Sequence, residues 1–175
     1  MKKRLFAYGW LGLFFAACCC TAAETVLNDD FSTNAPGSGV PAGWKMYQQG
    51  PQTGTVSVRQ SGNTNVLHLK DICGKSEIGI TRDLSAFPGK YYRLSAEIGD
   101  LAVADLNRHA PVLQLRFMKQ PRNSVYNVRV TPGRTTVVTG RADAATLRIY
   151  LFTMRSGQPE MTVKRIKLEV SDKPF

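Results

Sequence analysis

The chain has 175 residues, 43% of them hydrophobic, and a formal net charge of +10. This length suits one domain with one good hydrophobic core. Three of the four cysteines stand together near the start of the chain, which leaves Cys73 alone in the rest and excludes a disulfide-stapled scaffold.

The N-terminal segment has the layout of a secretory signal peptide. Residues 1–4 are basic, residues 5–17 are uncharged and mostly apolar, and small residues end at Ala23. The apolar run is shorter than the roughly 20 residues that a membrane span needs, although a retained anchor helix is the alternative. We therefore expect a signal peptide over residues 1–23, one domain over residues 24–175, and export to the periplasm, the cell surface or the medium.

Two cleavage positions are open. Small residues before Glu24 suit ordinary cleavage, whereas Phe15-Ala16-Ala17-Cys18 resembles a bacterial lipobox with Phe in place of the usual Leu. The second route would acylate Cys18 and give a lipoprotein whose contact with the membrane is its lipid anchor. With either route we expect Cys73 to be a small buried hydrophobic residue.

The remaining positive charge is compatible with two interpretations, an anionic partner and a solvated outer face. Without Lys2, Lys3 and Arg4, the Lys and Arg count falls from 23 to 20 against 13 Asp and Glu, a net charge of +7. Such a charge suits an anionic glycan or surface. The cations are spread along the chain rather than run together, which favours a solvated outer face over an anionic partner. A nucleic-acid partner is not expected.

Short alternating runs rich in Val, Ile, Thr and Tyr recur throughout the mature chain and predict β-strands. In chain order the runs cover residues 55–59, 66–70, 77–81, 91–98, 112–118, 125–130, 134–139, 146–153 and 161–170. The last run changes parity, which predicts a bulge at Lys164-Arg165. Roughly ten strands with one apolar face each indicate an all-β, antiparallel two-sheet sandwich, with a single barrel as the alternative.

The parity of the strands also predicts a polar surface. Leu115 and Ile149 fall on the apolar side of their strands, and their neighbours point the other way. If these strands share a sheet, the outward side chains form one polar and basic face. The members of that face are Gln114, Arg116, Asn127, Arg129, Arg148 and Tyr150.

Two irregular stretches, residues 34–43 and 99–111, predict loops at the rim of the sandwich, the second with one helical turn. The rim candidates for ligand binding are Trp44, Tyr47, Tyr91 and His109. Tyr and Trp offer a rigid apolar plate with a polar edge, while Arg, Asn and Gln can form hydrogen bonds with the polar groups of a ligand. For Trp44 the alternative is a plug at the sandwich edge.

A resemblance gives these patterns a family. Asn28-Asp29-Asp30-Phe31, then residues 40–44 (Val-Pro-Ala-Gly-Trp), and the turn and strand over residues 88–96 resemble galactose-binding-like jelly rolls. These include several bacterial carbohydrate-binding modules, so the resemblance implies a jelly-roll β-sandwich and a glycan or polysaccharide ligand.

The same resemblance implies a structural calcium site between acids near the first strand and the closing strand. The oxygen ligands available here are Asp29, Asp30, Glu169 and Asp172. The closing strand carries Lys164 and Arg165 where an acid is common in the family, and ordinary surface acids are the alternative.

No arrangement of residues indicates catalysis. His68 lies on the polar parity of its strand, where we expect a surface residue, and His109 stands alone in its loop. No nucleophile elbow, phosphate loop or paired-cysteine zinc pattern is present. A polysaccharide hydrolase or lyase would have to use Asp100, Asp105 and His109.

The sequence therefore predicts an exported, non-catalytic binding module for carbohydrate, without a cofactor other than the candidate calcium. The alternative is a structural or adhesive protein of the cell envelope that binds another envelope protein. Met118 and Phe152 motivate that alternative, since apolar residues on a solvent-facing parity can mark a contact patch.

Overall fold

The structure, a computed structural model, describes residues 22–51 and 54–175. The body of the predicted signal peptide and the lipidation of Cys18 lie outside the described residues. Eleven strands and one helical turn are present in the described ranges. They are β1 (Glu24–Asp29), β2 (Lys45–Gln49), β3 (Gly54–Ser61), β4 (Thr64–Asp71), β5 (Glu77–Ser85), β6 (Tyr91–Ala102), α1 (Leu106–His109), β7 (Val112–Phe117), β8 (Ser124–Arg129), β9 (Thr135–Arg141), β10 (Thr146–Phe152) and β11 (Glu160–Ser171).

The strands form two antiparallel sheets packed face to face. The six-stranded sheet has the order β3-β4-β11-β6-β9, with β1 also paired to β11, and the five-stranded sheet has the order β2-β5-β10-β7-β8. Every strand pair is antiparallel. The predicted all-β two-sheet sandwich is therefore confirmed over the single barrel.

Alternation of side chains builds the core between the sheets. Along β6, Tyr92, Leu94, Ala96 and Ile98 are each at most 2% exposed, while the residues between them are only partly buried. In the facing sheet Leu115 is fully buried, as the sequence predicts. Each strand thus gives one row of side chains to the core and the other to an outer face.

The predicted bulge in the closing strand is confirmed. The register between β11 and β6 shifts on either side of Val163, and Lys164 and Arg165 are exposed. Because the extra residue is absorbed there, Met161 and Ile166 both reach the core despite their opposite parity.

Trp44 belongs to the core rather than to a binding surface. Its side chain is 7% exposed, and Nε1 donates a hydrogen bond of 2.7 Å to Asp29 Oδ2. The Arg82 guanidinium lies 5.9 Å from the centre of the ring. The plug interpretation is therefore confirmed, and Trp44 as a plate for a ligand is wrong because the ring has almost no open surface.

Two further predictions about burial are wrong. His68, expected at the surface, is 3% exposed. It lies on the outer face of the six-stranded sheet, where Glu160 and the neighbouring strands cover its ring. Cys73, expected to be buried, is a partly exposed free thiol in the turn after β4. Within the described ranges, no helix has the length and apolar character to cross a membrane.

The assigned inner and outer faces of the strands predict unequal effects of two alanine substitutions, one on β7 and one on β9. Leu115→Ala removes a buried side chain and should lower the free energy of unfolding by about 2–5 kcal/mol. The control Val137→Ala trims a side chain that is 44% exposed on β9 and should cost about 0.5 kcal/mol or less. Urea denaturation monitored by fluorescence measures both, and equal losses would contradict the assigned faces.

Candidate functional site

The outer face of the five-stranded sheet brings together most of the polar residues that the sequence assigned to one surface. We call it the arginine–aromatic face. Its residues lie in three rows across the strands: Asp83, Arg148, Arg116 and Val125; Lys45, Thr81, Tyr150, Gln114 and Asn127; and Tyr47, Gly79, Phe152, Val112 and Arg129. The register shows that these strands share a sheet, which was the condition for the predicted polar face.

Aromatic rings occupy the middle of this face. The Tyr47 ring lies 5.2 Å from both the Tyr150 and the Phe152 ring, edge to face in each case. Gly79 stands between Tyr47 and Phe152 in register, and a Cβ there would overlap the Leu151 carbonyl. Because glycine adds no side chain, the rings close over it and form a small apolar cluster outside the main core.

The rings of this cluster are covered. Tyr150 is 5% exposed and Phe152 is 8% exposed, while Tyr47 is partly buried. The rings therefore do not form an open aromatic plate, and polar side chains surround them. The predicted contact patch around Phe152 and Met118 is also wrong, since Phe152 is buried and Met118 is only partly exposed.

Arg116 lies over this cluster. Its guanidinium carbon is 4.9 Å from the centre of the Tyr150 ring, and Nη2 donates a hydrogen bond of 2.9 Å to Gln114 Oε1. The Nε atom is buried without a hydrogen-bond partner among the described residues. The ion pairs in the described ranges do not include Arg116.

The neighbouring arginine has a counter-ion. Arg148 donates from Nε to Asp83 Oδ1 and from Nη2 to Asp83 Oδ2, the latter at 3.0 Å. Lys45 lies 3.8 Å from the same carboxylate. The hydrogen bonds from Arg148 are the main reason why the pKa of Asp83 lies below its usual value. The Asp83 carboxylate is therefore already paired with two cations, Arg148 and Lys45.

Tyr47 has a fixed hydroxyl. Its OH donates a hydrogen bond of 2.9 Å to Glu77 Oε2 at the edge of the face. Burial, and then the hydrogen bond to Glu77, raise the pKa of Tyr47 to about 12. The phenol consequently stays neutral across the physiological range and keeps one orientation.

The other predicted ligand residues divide between the edge of this face and two other parts of the molecule. Asn127 and Arg129 are exposed on β8 at the side of the arginine–aromatic face. Tyr91 lies on the opposite sheet, where the Arg141 guanidinium carbon stands 5.6 Å from its ring centre. His109 ends α1 at the rim, packed against Gly157, where a Cβ would overlap the His109 side chain. Tyr91 therefore does not share a surface with the arginine–aromatic face.

The four carboxylates considered for calcium do not meet at one site. Asp29 accepts from Phe31 N at 2.9 Å and from Trp44 Nε1. Asp30 accepts from Ser32, which lowers its pKa. The remaining two pair with cations: Glu169 with Arg93 and Lys167, and Asp172 with Lys90. The described residues hold no group of three or more His, Cys, Asp or Glu side chains suited to a metal, so the calcium set is wrong.

The three residues considered for hydrolysis have different structural positions. Asp105 caps α1, accepting from Asn107 N at 3.0 Å and Arg108 N at 3.3 Å. Asp100 is exposed near the end of β6, and His109 lies at the other end of the helical turn from Asp105. They do not form a convergent acid and base.

Sequence reasoning missed several members of the face. Lys45, Thr81, Asp83 and Val112 were not assigned to it, although Val112 alternates in phase with Gln114. Phe152 was placed on the outward side of its strand but was not proposed as a ligand residue. Strand pairing decides the rest, because β2 and β5 are far from β7 and β10 in sequence. Thr81 and Asp83 are polar and two residues apart, which predicts that both face the same side of their strand. This pattern does not show which strand pairs with them.

The fold is shared with solved carbohydrate-binding domains. The CBM22-1 xylan-binding domain from Paenibacillus barcinonensis superposes with a TM-score of 0.57 at 11% identity, covering 87% of this chain and 98% of that domain. A xylan-binding domain from CBM 22 gives a TM-score of 0.53 at 11% identity over 86% and 97% of the two chains. The resemblance to carbohydrate-binding modules is therefore confirmed for the fold.

A phage protein shares the fold as a part of a larger chain. The enzymatically active domain of tailspike protein 4 from bacteriophage CBA120 matches with a TM-score of 0.52 at 15% identity. The match covers 72% of this chain but 19% of the phage chain. No family model matches the sequence, and no curated protein matches it.

The Tyr47–Glu77 contact predicts a stability change at high pH. The folded protein holds the phenol proton more tightly than the unfolded chain, whose tyrosines titrate near pH 10. The contact therefore stabilises the fold below about pH 10, and this contribution is lost as pH rises towards about 12. Denaturation curves of wild type and Tyr47→Phe across this range should show the loss in wild type alone. A Tyr47 phenolate appearing near pH 10 in ultraviolet difference titration would contradict it.

The dispersal of the carboxylates predicts that chelation has no effect on stability. Treatment of the mature protein with EDTA should leave its melting temperature unchanged, and added calcium should not raise it. Differential scanning calorimetry at low ionic strength measures this. A calcium-dependent rise at stoichiometric metal would contradict the assignments of Asp29 and Glu169.

Proposed function

We propose that the protein is an exported, non-catalytic carbohydrate-binding module that binds an acidic glycan on its arginine–aromatic face. The proposal rests on one row of side chains across this face. In that row Arg148 and Arg116 lie directly opposite each other on neighbouring strands, and Asp83 is the one carboxylate. Asp83 is bound by Arg148 and lies near Lys45. A carboxylate or sulfate group of a glycan would supply the anion that Arg116 lacks.

The geometry of Arg116 supports this role. Like charges opposite each other in a sheet repel, and the repulsion here is relieved on one side by Asp83. The Tyr150 ring beneath Arg116 and the Gln114 carbonyl beside it hold the guanidinium in one orientation. A guanidinium fixed in this way can donate two parallel hydrogen bonds to a planar anion such as a carboxylate.

The surroundings of Arg116 suit the rest of a sugar chain. Asn127 and Arg129 are exposed donors on the neighbouring strand, and the Tyr47 hydroxyl has a fixed position. Since the rings of Tyr150 and Phe152 are covered, we expect affinity to come mainly from charge-assisted hydrogen bonds. Binding of this kind weakens as salt is added, because exposed charges are screened.

Fold and N-terminal sequence support the remaining parts of the proposal. The two domains named as xylan-binding superpose over almost their whole length, which supports a binding-module fold for this chain. The basic and apolar start of the chain supports export. The separation of Asp100, Asp105 and His109 supports a role in binding without hydrolysis.

Substitution of Arg116 tests the proposed site. Isothermal titration with oligogalacturonate should give about a ten- to hundredfold loss of affinity for Arg116→Ala, because one charge-assisted contact of about 1.5–3 kcal/mol is removed. Arg116→Lys should retain part of the affinity, since the charge remains and the bidentate geometry does not. Raising the salt concentration should weaken binding by wild type more than by Arg116→Ala.

Arg141→Ala is the matched control, since Arg141 also lies over a tyrosine ring but on the other sheet. It should bind within about twofold of wild type. Equal losses for Arg116→Ala and Arg141→Ala would place binding elsewhere. Failure of folded wild type to bind on an array of acidic and neutral glycans would overturn the proposed function.

A further inference from the structure

A groove of about 690 Å³ lies on the outer face of the six-stranded sheet, on the side of the sandwich away from Arg116. Residues 59–61 at the end of β3 form one wall, and the turn at Pro132-Gly133 forms the other. Val66 and Met161, exposed by 3% and 1%, contribute an apolar floor. This volume lies within the range of small-molecule binding sites.

A carboxylate is held in place within the groove. Glu160 Oε1 lies 2.8 Å from His68 Nε2, and Glu160 Oε2 lies 2.7 Å from Lys70 Nζ. The hydrogen bonds from Lys70 and then His68 hold the pKa of Glu160 below its usual value. The Glu160 side chain is nevertheless 40% exposed, so both oxygens keep lone pairs that a ligand can reach.

The support behind this carboxylate is unusual for a surface ion pair. His68 is 3% exposed and has no hydrogen-bond partner for Nδ1 among the described residues. Since a carboxylate only accepts, Nε2 of His68 donates to Glu160, and the buried Nδ1 atom is left without a hydrogen bond among the described residues. Burial of such an atom is unfavourable. Lys70 alone would neutralise the charge of Glu160. The role of the buried His68 imidazole is therefore to hold the Glu160 carboxylate in one orientation.

The floor of the groove is kept open by a glycine. A Cβ on Gly99 would overlap the Thr162 hydroxyl oxygen. That oxygen accepts a hydrogen bond of 2.9 Å from Asp100 N, which fixes the Thr162 side chain beside Glu160. Any side chain at position 99 would therefore displace a groove residue.

The charges of the groove balance, in contrast to those of the arginine–aromatic face. Arg59 at the wall and Lys70 behind Glu160 offset the carboxylates of Glu160 and Asp100. The lining otherwise consists of hydroxyl, amide and backbone groups over an apolar strip. Fixed acceptors beside an apolar strip suit a molecule with many hydroxyls, C–H faces and no charge.

From this arrangement we infer a second binding site, in which the groove takes a neutral oligosaccharide with two adjacent hydroxyls donating to Glu160. The site uses neither Arg116 nor any other residue of the arginine–aromatic face. It therefore does not rest on acidic-glycan binding there.

The site is tested by amide chemical-shift mapping of the mature protein titrated with xylohexaose, an uncharged probe. Shifts should centre on Val66, Gly99 and Thr162. Glu160→Gln should weaken the affinity at least about tenfold, as expected for loss of a charged acceptor. Asp100→Asn, at an exposed position, should weaken it less and serves as a second variant if Glu160→Gln lowers stability.

Glu97→Gln is the matched control, because Glu97 is a half-exposed carboxylate on the same sheet that pairs with Lys164 at 4.0 Å. It should bind xylohexaose within about twofold of wild type. Absence of shifts at millimolar xylohexaose, shifts confined to the arginine–aromatic face, or equal affinities of Glu160→Gln and Glu97→Gln would each overturn the second site. Parallel titration with oligogalacturonate separates the two sites, since Glu160→Gln should leave that affinity unchanged.

Discussion

The alternation of side chains along β7 and β10 is the constraint on which the rest of the structure depends. Leu115 and Ile149 lie opposite each other and fill the core, so Arg116 and Arg148, one residue before or after them, must face outward together. A slip of one residue would move the apolar set into water, which makes the register costly to change. The pairing of the two arginines is therefore enforced by the core, even though their charges repel.

The outer faces deal with charge in different ways. On the six-stranded sheet Glu169 is shared by Arg93 and Lys167, and each cation lies 2.8 Å from a carboxylate oxygen. On the five-stranded sheet Asp83 is likewise shared by two cations, but a third, Arg116, is left beside them. A hydrogen bond to the uncharged Gln114 amide and the contact with the Tyr150 ring hold Arg116 without cancelling its charge. An anionic ligand bound beside Arg116 would balance this charge, as the proposed function requires.

The sequence was sufficient for what depends on local periodicity. It predicts the outward face of β7 and β10 and the bulge at Lys164, because each follows from the apolar side of one strand. It could not predict which strands become neighbours, so Asp83 was missed as the partner of Arg148. His68 was misplaced for the same reason, since its burial comes from Glu160, 92 residues away.

The resemblance to galactose-binding-like jelly rolls predicted the β-sandwich correctly, but the carboxylates that it suggested for calcium do not come together. Asp29 stands where the family pattern suggests a ligand, yet its two oxygens are used by the Phe31 amide and the Trp44 indole. The same carboxylate can thus close the sandwich edge without a cation.

The placement of the two proposed sites limits what binding can achieve. They lie on opposite faces of two packed sheets, with the thickness of the whole sandwich between Arg116 and Glu160. A short oligosaccharide cannot follow the surface from one to the other, so avidity on a single short chain is excluded. Occupation of both faces would instead join two separate chains, one acidic and one neutral. The rigid core between them gives that link a fixed geometry, because the register that positions Arg116 also positions the sheet that carries Glu160.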